Sequence, residues 1–78
     1  MNQNIPIYSP GDLVKCVETK DQSLYVKKTF VGRLGLVLAR LVRDQGGTTT
    51  TNMYDVLIGD KIIKLHSLDL QLVSKVRE

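Results

Sequence analysis

The chain has 78 residues and a formal net charge of +3, with 42% hydrophobic and 24% charged residues. This length allows one domain, and the composition is that of a globular protein, so neither a disordered chain nor several domains are expected. No apolar run reaches the roughly 18 residues that span a bilayer, and the first residues lack the basic and apolar segments of a secretory signal. We therefore expect no membrane partner and no secretion by a signal peptide.

The chemistry-bearing residues are few. A single cysteine, Cys16, cannot form an internal disulfide, and with the single histidine, His66, it supplies too few ligands for a metal centre. Paired carboxylates, a phosphate-binding glycine loop and a Ser/His/Asp constellation are missing from the sequence. The sequence therefore predicts a protein that is not an enzyme and needs no cofactor, metal or small-molecule substrate. His66 is expected at the surface or in a cap.

The first third of the chain begins with polar residues and two prolines, so residues 1–10 are predicted to form an arm that lies on the domain or on a partner. The turn signal Pro10-Gly11-Asp12 opens a strand that extends to Glu18. Alternation within this strand directs Val14 and Cys16 inward. Residues 19–31 are too many for a hairpin connection and are predicted to form a functional loop.

The longest apolar stretch, residues 36–42, follows Gly32-Arg33-Leu34-Gly35. Its β-branched residues and the leading glycines favour a strand over a helix. Both faces of this strand are apolar, and only one can point into the core of so small a domain. The other face must be covered by the 19–31 loop, by the arm or by another subunit, and the sequence leaves these alternatives open.

The clearest local signal is a hairpin between residues 54–58 and 61–65. The two residues between them, Gly59 and Asp60, suit a type II′ turn, because glycine at the first turn position accepts a positive φ. Two elements follow it, a single helical turn at residues 66–70 and a closing strand at residues 70–73. The turn fixes the predicted pairs, which include one of opposite charge: Ile58 with Lys61, Leu57 with Ile62, Val56 with Ile63, Asp55 with Lys64, and Tyr54 with Leu65.

Five short strands with almost no helix predict an all-β fold, and a small barrel hides edges that a flat sheet exposes. The motifs Gly11-Asp12-Leu13-Val14 and Tyr54-Asp55-Val56-Leu57-Ile58, with residues 32–37 and 66–70, resemble SH3-like barrels, particularly their KOW-like relatives. The resemblance covers about residues 11–73 and implies a five-stranded barrel with a long first loop, one short helical turn before the last strand, and a charged tail at residues 74–78. The chain also resembles small SH3-like proteins of tailed bacteriophages, notably those of cyanobacteria.

This resemblance implies a non-enzymatic interaction or structural module, foremost a virion or assembly accessory protein that docks on a larger protein such as a phage structural protein. Its expected location is the virion or the host cytoplasm, and a homo-oligomer is an open alternative. The expected protein interface is the second apolar face of the long strand together with the outer side of the hairpin. Its residues are Leu34, Leu36, Leu38, Leu57 and Ile62.

The alternative function is nucleic-acid binding of the KOW-like kind. Residues 15–43 carry seven lysines and arginines against two acidic residues, a local charge of +5. Aromatic groups for base stacking are scarce there. Recognition of proline-rich peptides is not expected, because the chain has no tryptophan and Tyr8 and Tyr54 are not predicted to share a groove. The candidate phosphate-contacting residues are Lys27, Lys28, Arg33, Arg40 and Arg43.

Overall fold

The structure is a computed structural model that describes residues 6–41, 44–45, 49–50 and 52–77. Its elements in chain order are β1 (Leu13–Cys16), α1 (Leu24–Thr29), β2 (Leu34–Leu41), β3 (Asp44–Gln45), β4 (Thr49–Thr50), β5 (Met53–Ile58), β6 (Lys61–His66), a 3₁₀ turn (Ser67–Asp69) and β7 (Leu70–Ser74).

Five of these strands form one antiparallel sheet in the order β6-β5-β2-β1-β7, whereas β3 and β4 pair only with each other. The prediction of a mostly β chain with five main strands is confirmed, as is the helical turn before the last strand. In the part of the chain that the structure describes, β6 and β7 lie at the two ends of the sheet and no ladder joins them. Closure into a barrel therefore stays a prediction.

The loop predicted at residues 19–31 contains a short helix, α1. Ser23 begins it as the N-cap, and its hydroxyl accepts a hydrogen bond from the Val26 backbone N–H at 3.2 Å. Phe30, directly after the helix, is fully buried, and Tyr25 contacts the Phe30 ring edge-to-face at 5.6 Å. The capping serine and the buried phenylalanine together hold one and a half turns of helix that no apolar period in the sequence indicates.

The hairpin register is confirmed at every predicted pair, from Ile58 opposite Lys61 to Tyr54 opposite Leu65. Gly59 has a φ of +64°, and no other residue type in the described part of the chain has a positive φ. A type I′ turn would require a positive φ at Asp60 as well, so the turn is of the predicted type II′.

The core lies on one side of the sheet. Val37 on β2 and Val56 on β5 are cross-strand partners, and both point into it. The backbone of β2 at Gly35 lies close to the side chains of β5. A Cβ atom at Gly35 would lie 2.6 Å from a Val56 methyl carbon and 2.7 Å from Cγ1 of Ile58. Glycine is therefore required there by packing. The buried apolar residues are Tyr8, Val14, Cys16, Phe30, Val37, Tyr54, Val56, Ile58, Leu65 and Leu70.

The described part of the arm, residues 6–10, lies on the domain and enters its core. Tyr8 is buried against Tyr54, with the two rings edge-to-face at 5.4 Å. The Tyr8 backbone N–H donates to the Tyr54 hydroxyl at 3.0 Å, and the Tyr8 hydroxyl donates to the Leu70 carbonyl at 2.9 Å. The two tyrosines meet because the arm folds back across β5, 46 residues further along the chain, and both rings are buried in the core.

A buried carboxylate ties both ends of the described chain to β1. Asp12 accepts hydrogen bonds from the Ser9 backbone N–H at 2.9 Å and from the Val76 backbone N–H at 2.8 Å. These bonds lower the pKa of Asp12, the one from Val76 most, then the one from Ser9, and burial opposes them. A Cβ at Gly11 would lie 2.8 Å from a Val76 methyl, so the tail packs tightly here. The Asp12 carboxylate therefore fixes the backbone on both sides of it, at Ser9 and at Val76.

Replacing Gly59 by valine should destabilise the domain by about 1–2 kcal/mol or more, because a β-branched residue is strained at a φ of +64°. Gly59→Asn is the matched control and should lose less, since asparagine tolerates this conformation better. Thermal and urea unfolding of the three proteins measures the difference. Equal stability of the valine variant would contradict the assigned turn and with it the hairpin.

The stability should fall in acid through Asp12. Its folded pKa lies below the usual 3.8, so its contribution is fully present above the unfolded pKa and is lost as the pH falls through the folded value. Urea unfolding of wild type and Asp12→Asn from about pH 7 to about pH 2.5 should show a large difference that shrinks below about pH 4. Asp21→Asn, at an exposed position, is the control and should change stability little. A constant difference across this range would refute the assignment.

Candidate functional site

The side of the sheet opposite the core, here named the outer face, carries a patch of aliphatic side chains. On β2, Gly35 and Val37 are buried, whereas Leu34, Leu36 and Leu38 between and beside them are 53%, 40% and 37% exposed. Alternation places Leu34 and Leu36 on the outer face, and Leu38, exposed beside them, lies at an irregularity in the pairing of β2 with β5 between Val37 and Ala39. They are three of the five residues that the sequence predicts as a protein interface.

Cross-strand pairing extends this patch across the sheet. Leu36 lies opposite Leu13 on β1 and opposite Leu57 on β5, and Leu57 lies opposite Ile62 on β6. Directly opposed residues share a face, so these four side chains form a continuous line, here named the apolar row, about 14 Å long at about 4.8 Å per strand. The structure thus brings Leu57 and Ile62 to the same surface as the β2 leucines.

Leu13 is a member of the row that the sequence did not indicate. β1 has four residues, and its alternation indicates that Val14 and Cys16 point inward. The alternation does not indicate which residues lie next to Leu13 on the outer face. The pairing of Leu13 with Leu36 joins residues that are distant in the chain. Only the strand order places Leu13 beside the other three residues of the row.

The arm and the 19–31 segment, two of the three predicted covers of the outer face, pack elsewhere. The arm inserts Tyr8 into the core, and the 19–31 segment inserts Phe30 into the same core. Ile62 remains 62% exposed at the edge strand, and Leu34 remains more than half exposed. Among the described residues, neither segment covers the outer face, so its apolar atoms are left to water or to another molecule.

The charged residues of the outer face are few, and each lies two residues along its strand from a member of the apolar row. On one side of the row, Lys15 lies opposite Leu34, at the end of the sheet where the Gly59-Asp60 turn also lies. On the other side, Asp55 lies opposite Lys64. An aliphatic centre with a sparse charged rim is the arrangement of protein interfaces.

The basic residues of the alternative function do not form one edge. Lys27 and Lys28 lie in the last turn of α1, and the exposed Arg33 follows just before β2. Arg40 lies at the opposite end of β2, about 23 Å from Arg33 at about 3.3 Å per residue, and donates a hydrogen bond to Asn52 at 3.2 Å. Arg43 lies outside the described residues. Three of the five basic residues therefore share one end of the domain.

A polar cluster that the sequence did not indicate is centred on Asp69. One of its carboxylate oxygens accepts bonds from the Thr19 hydroxyl at 2.9 Å and the Gln22 amide at 3.2 Å, and the other accepts from the His66 backbone N–H at 3.2 Å. These residues border an open cavity of about 370 Å³ beside Leu68. Because the buried polar groups here bond to each other, the cluster fixes the 19–22 segment and leaves no group aimed at a ligand.

His66 and Cys16 have structural roles. His66 caps the 3₁₀ turn, its Nδ1 accepting from the Leu68 backbone N–H at 3.1 Å, as expected for a capping histidine. Cys16 is buried, and burial, with the charge of Asp69, raises the pKa of its thiol, so the reactive thiolate is disfavoured. Within the described residues no group of three or more potential ligands is placed to hold a metal ion. No helix there is long and apolar enough to cross a membrane.

Comparisons with known proteins add no family assignment: no family model, curated protein or solved structure matches the chain. Functional inference therefore depends on the surface itself.

Adjacent residues of β2 should respond in opposite ways to a charge. Leu36→Lys should leave the protein folded, with a loss of stability below about 1 kcal/mol, because the ammonium group remains in water. Val37→Lys should unfold the domain, since Val37 is 1% exposed and an unpaired charge would be driven into the core. Circular dichroism with thermal unfolding measures both. Unfolding of both variants would show that Leu36 belongs to the core.

Proposed function

We propose that this chain is a non-enzymatic protein-interaction module that docks on a larger protein through its outer face. The observation that carries the proposal is the apolar row, Leu13, Leu36, Leu57 and Ile62, which crosses four strands with Leu34 and Leu38 beside it. Contiguous exposed aliphatic surface of this kind disfavours a free monomer and is typical of interfaces.

The proposal includes an SH3-like barrel. Three observations support the barrel. The last strand of the chain, β7, pairs with the first, β1, and a 3₁₀ turn precedes β7. Tyr8 forms hydrogen bonds with both Tyr54 on β5 and Leu70 on β7. The last contact bridges strands that are not neighbours in the sheet. Within this proposal, the motif resemblance to tailed-phage proteins favours a virion or assembly accessory protein, located in the virion or the host cytoplasm.

Nucleic-acid binding is the second candidate, favoured by Lys27, Lys28 and Arg33 at one end of the domain. Three nearby cations can contact phosphates without any base recognition. The distance of Arg40 from this group weakens the case, because a single phosphate backbone would not meet all the predicted residues along one edge. The exposed aliphatic row also has no function in phosphate binding. We therefore rank protein docking first.

The docking proposal predicts that Leu36→Lys, tested as a folded protein, loses its protein partner, whereas Lys27→Ala/Lys28→Ala retains it. The measurement is quantitative affinity capture on the tagged chain after nuclease treatment, at about 50 and about 200 mM salt, with each retained protein then purified and its binding titrated. Retention through apolar contact should change little between these salt concentrations.

The same proteins test the alternative against a labelled oligonucleotide of about 20 nucleotides, single- or double-stranded, by fluorescence anisotropy. Binding that falls steeply with salt, disappears in Lys27→Ala/Lys28→Ala and survives in Leu36→Lys would overturn the docking proposal and favour the nucleic-acid function. Weak binding that is equal for all three proteins would leave docking as the better account.

A further inference from the structure

We propose that the outer face is also self-complementary, and that in the free protein its occupant is a second copy of this chain, packed face to face. The inference rests on the proposed function of this face as a protein interface. The two-fold axis would lie midway between the two stacked sheets, parallel to the strands and level with the gap between β2 and β5. Closed two-fold dimers are the commonest protein assemblies, and they require one patch that matches itself.

The apolar row meets this requirement. Rotation about such an axis exchanges the outer strands β1 and β6 and the inner strands β2 and β5. Leu13 of one copy then lies over Ile62 of the other, and Leu36 lies over Leu57. Every contact along the row joins two aliphatic side chains, as in the aligned packing of two sheets about 10 Å apart.

The charges match in the same orientation. Lys15 on β1 and Asp60 in the β5–β6 turn lie at the same end of the strands. In the strand order they lie on opposite sides of the gap between β2 and β5. The axis therefore brings Lys15 of each copy towards Asp60 of the other. Arg33 lies at the same end of its own copy, with its guanidinium beside Gly59. At the other end, Asp55 and Lys64 are cross-strand partners within each copy, so their opposite charges lie together.

The size of the face sets the strength of the dimer. Four strands about 4.8 Å apart and about six residues long give a footprint of about 20 × 20 Å, or about 400 Å² per copy. Two copies would bury about 800 Å², below the 1,200–2,000 Å² or so of stable complexes. We therefore expect a weak, reversible dimer that a larger partner with a better-fitting surface can displace.

The dimer is tested by sedimentation velocity and equilibrium on the full chain from about 10 µM to about 1 mM. The wild type should show a monomer–dimer equilibrium within this range. Leu36→Lys should weaken dimerisation by about tenfold or more, and Ile62→Lys, at the exposed edge strand, serves the same purpose should the first variant unfold. Leu24→Lys, on α1 and 65% exposed, is the control of equal charge change and should dimerise like wild type.

A charge exchange tests the orientation. Lys15→Asp and Asp60→Lys should each weaken self-association severalfold, because like charges then meet across the axis. An equimolar mixture of the two variants should recover association, since each interface corner again joins opposite charges. Recovery in the mixture supports this two-fold arrangement, and its absence refutes it.

The remaining outcomes separate this inference from the proposed function. A monomer throughout the concentration range, or a dimer that ignores both Leu36→Lys and Ile62→Lys, overturns the dimer. If capture of a partner is nevertheless lost in Leu36→Lys, the docking proposal stands alone. A dimer with the expected responses, together with no protein retained by wild type in the capture experiment, supports the second copy and overturns docking on a larger protein.

Discussion

One-sided burial is the constraint on which the rest of this structure depends. Side chains alternate along each strand, and a single sheet with one core can bury only one set of them. Val56 and Ile58 on β5 fill the core side so closely that Gly35 on β2 has no room for a Cβ. The other set, with Leu36 and Leu57, is left outside. The exposed leucines are therefore a direct consequence of a doubly apolar strand in a chain with too few residues to cover both of its faces.

The chain stabilises its small core by binding its own ends to it. Tyr8 brings the arm into contact with β5 and β7, and the Asp12 carboxylate binds backbone N–H groups of Ser9 and Val76. A charged carboxylate forms strong hydrogen bonds, and burying it is tolerable only because these donors satisfy it. The described parts of the arm and the tail, and the 19–31 segment, engage the core or its rim, and Leu34, Leu36 and Ile62 on the outer face stay exposed.

This division of surfaces explains why protein docking is the better functional hypothesis. The polar groups that the structure gathers, around Asp69 and around Asp12, bond to one another or to the backbone, so they stabilise the fold. The basic residues are divided between the two ends of β2. The apolar row joins exposed and half-buried aliphatic side chains across four strands, and its symmetric order permits a second copy as well as a different partner.

Local patterns in the sequence determined the hairpin, its register and its turn, because a Gly-Asp pair between two apolar runs allows one pairing and each pair follows from the last. They also determined the inward position of Cys16 and the doubly apolar character of β2, and they left His66 to the surface or to a cap. Only the tertiary structure decided which face of β2 is inside, since the alternation of Leu36 and Val37 is symmetric until Tyr8 and Phe30 pack on one side. It also added Leu13 to the row, formed α1 and assembled the Asp69 cluster. These features depend on contacts between distant residues, such as Asp69 with Thr19, 50 positions apart, and no pattern within a short window contains them.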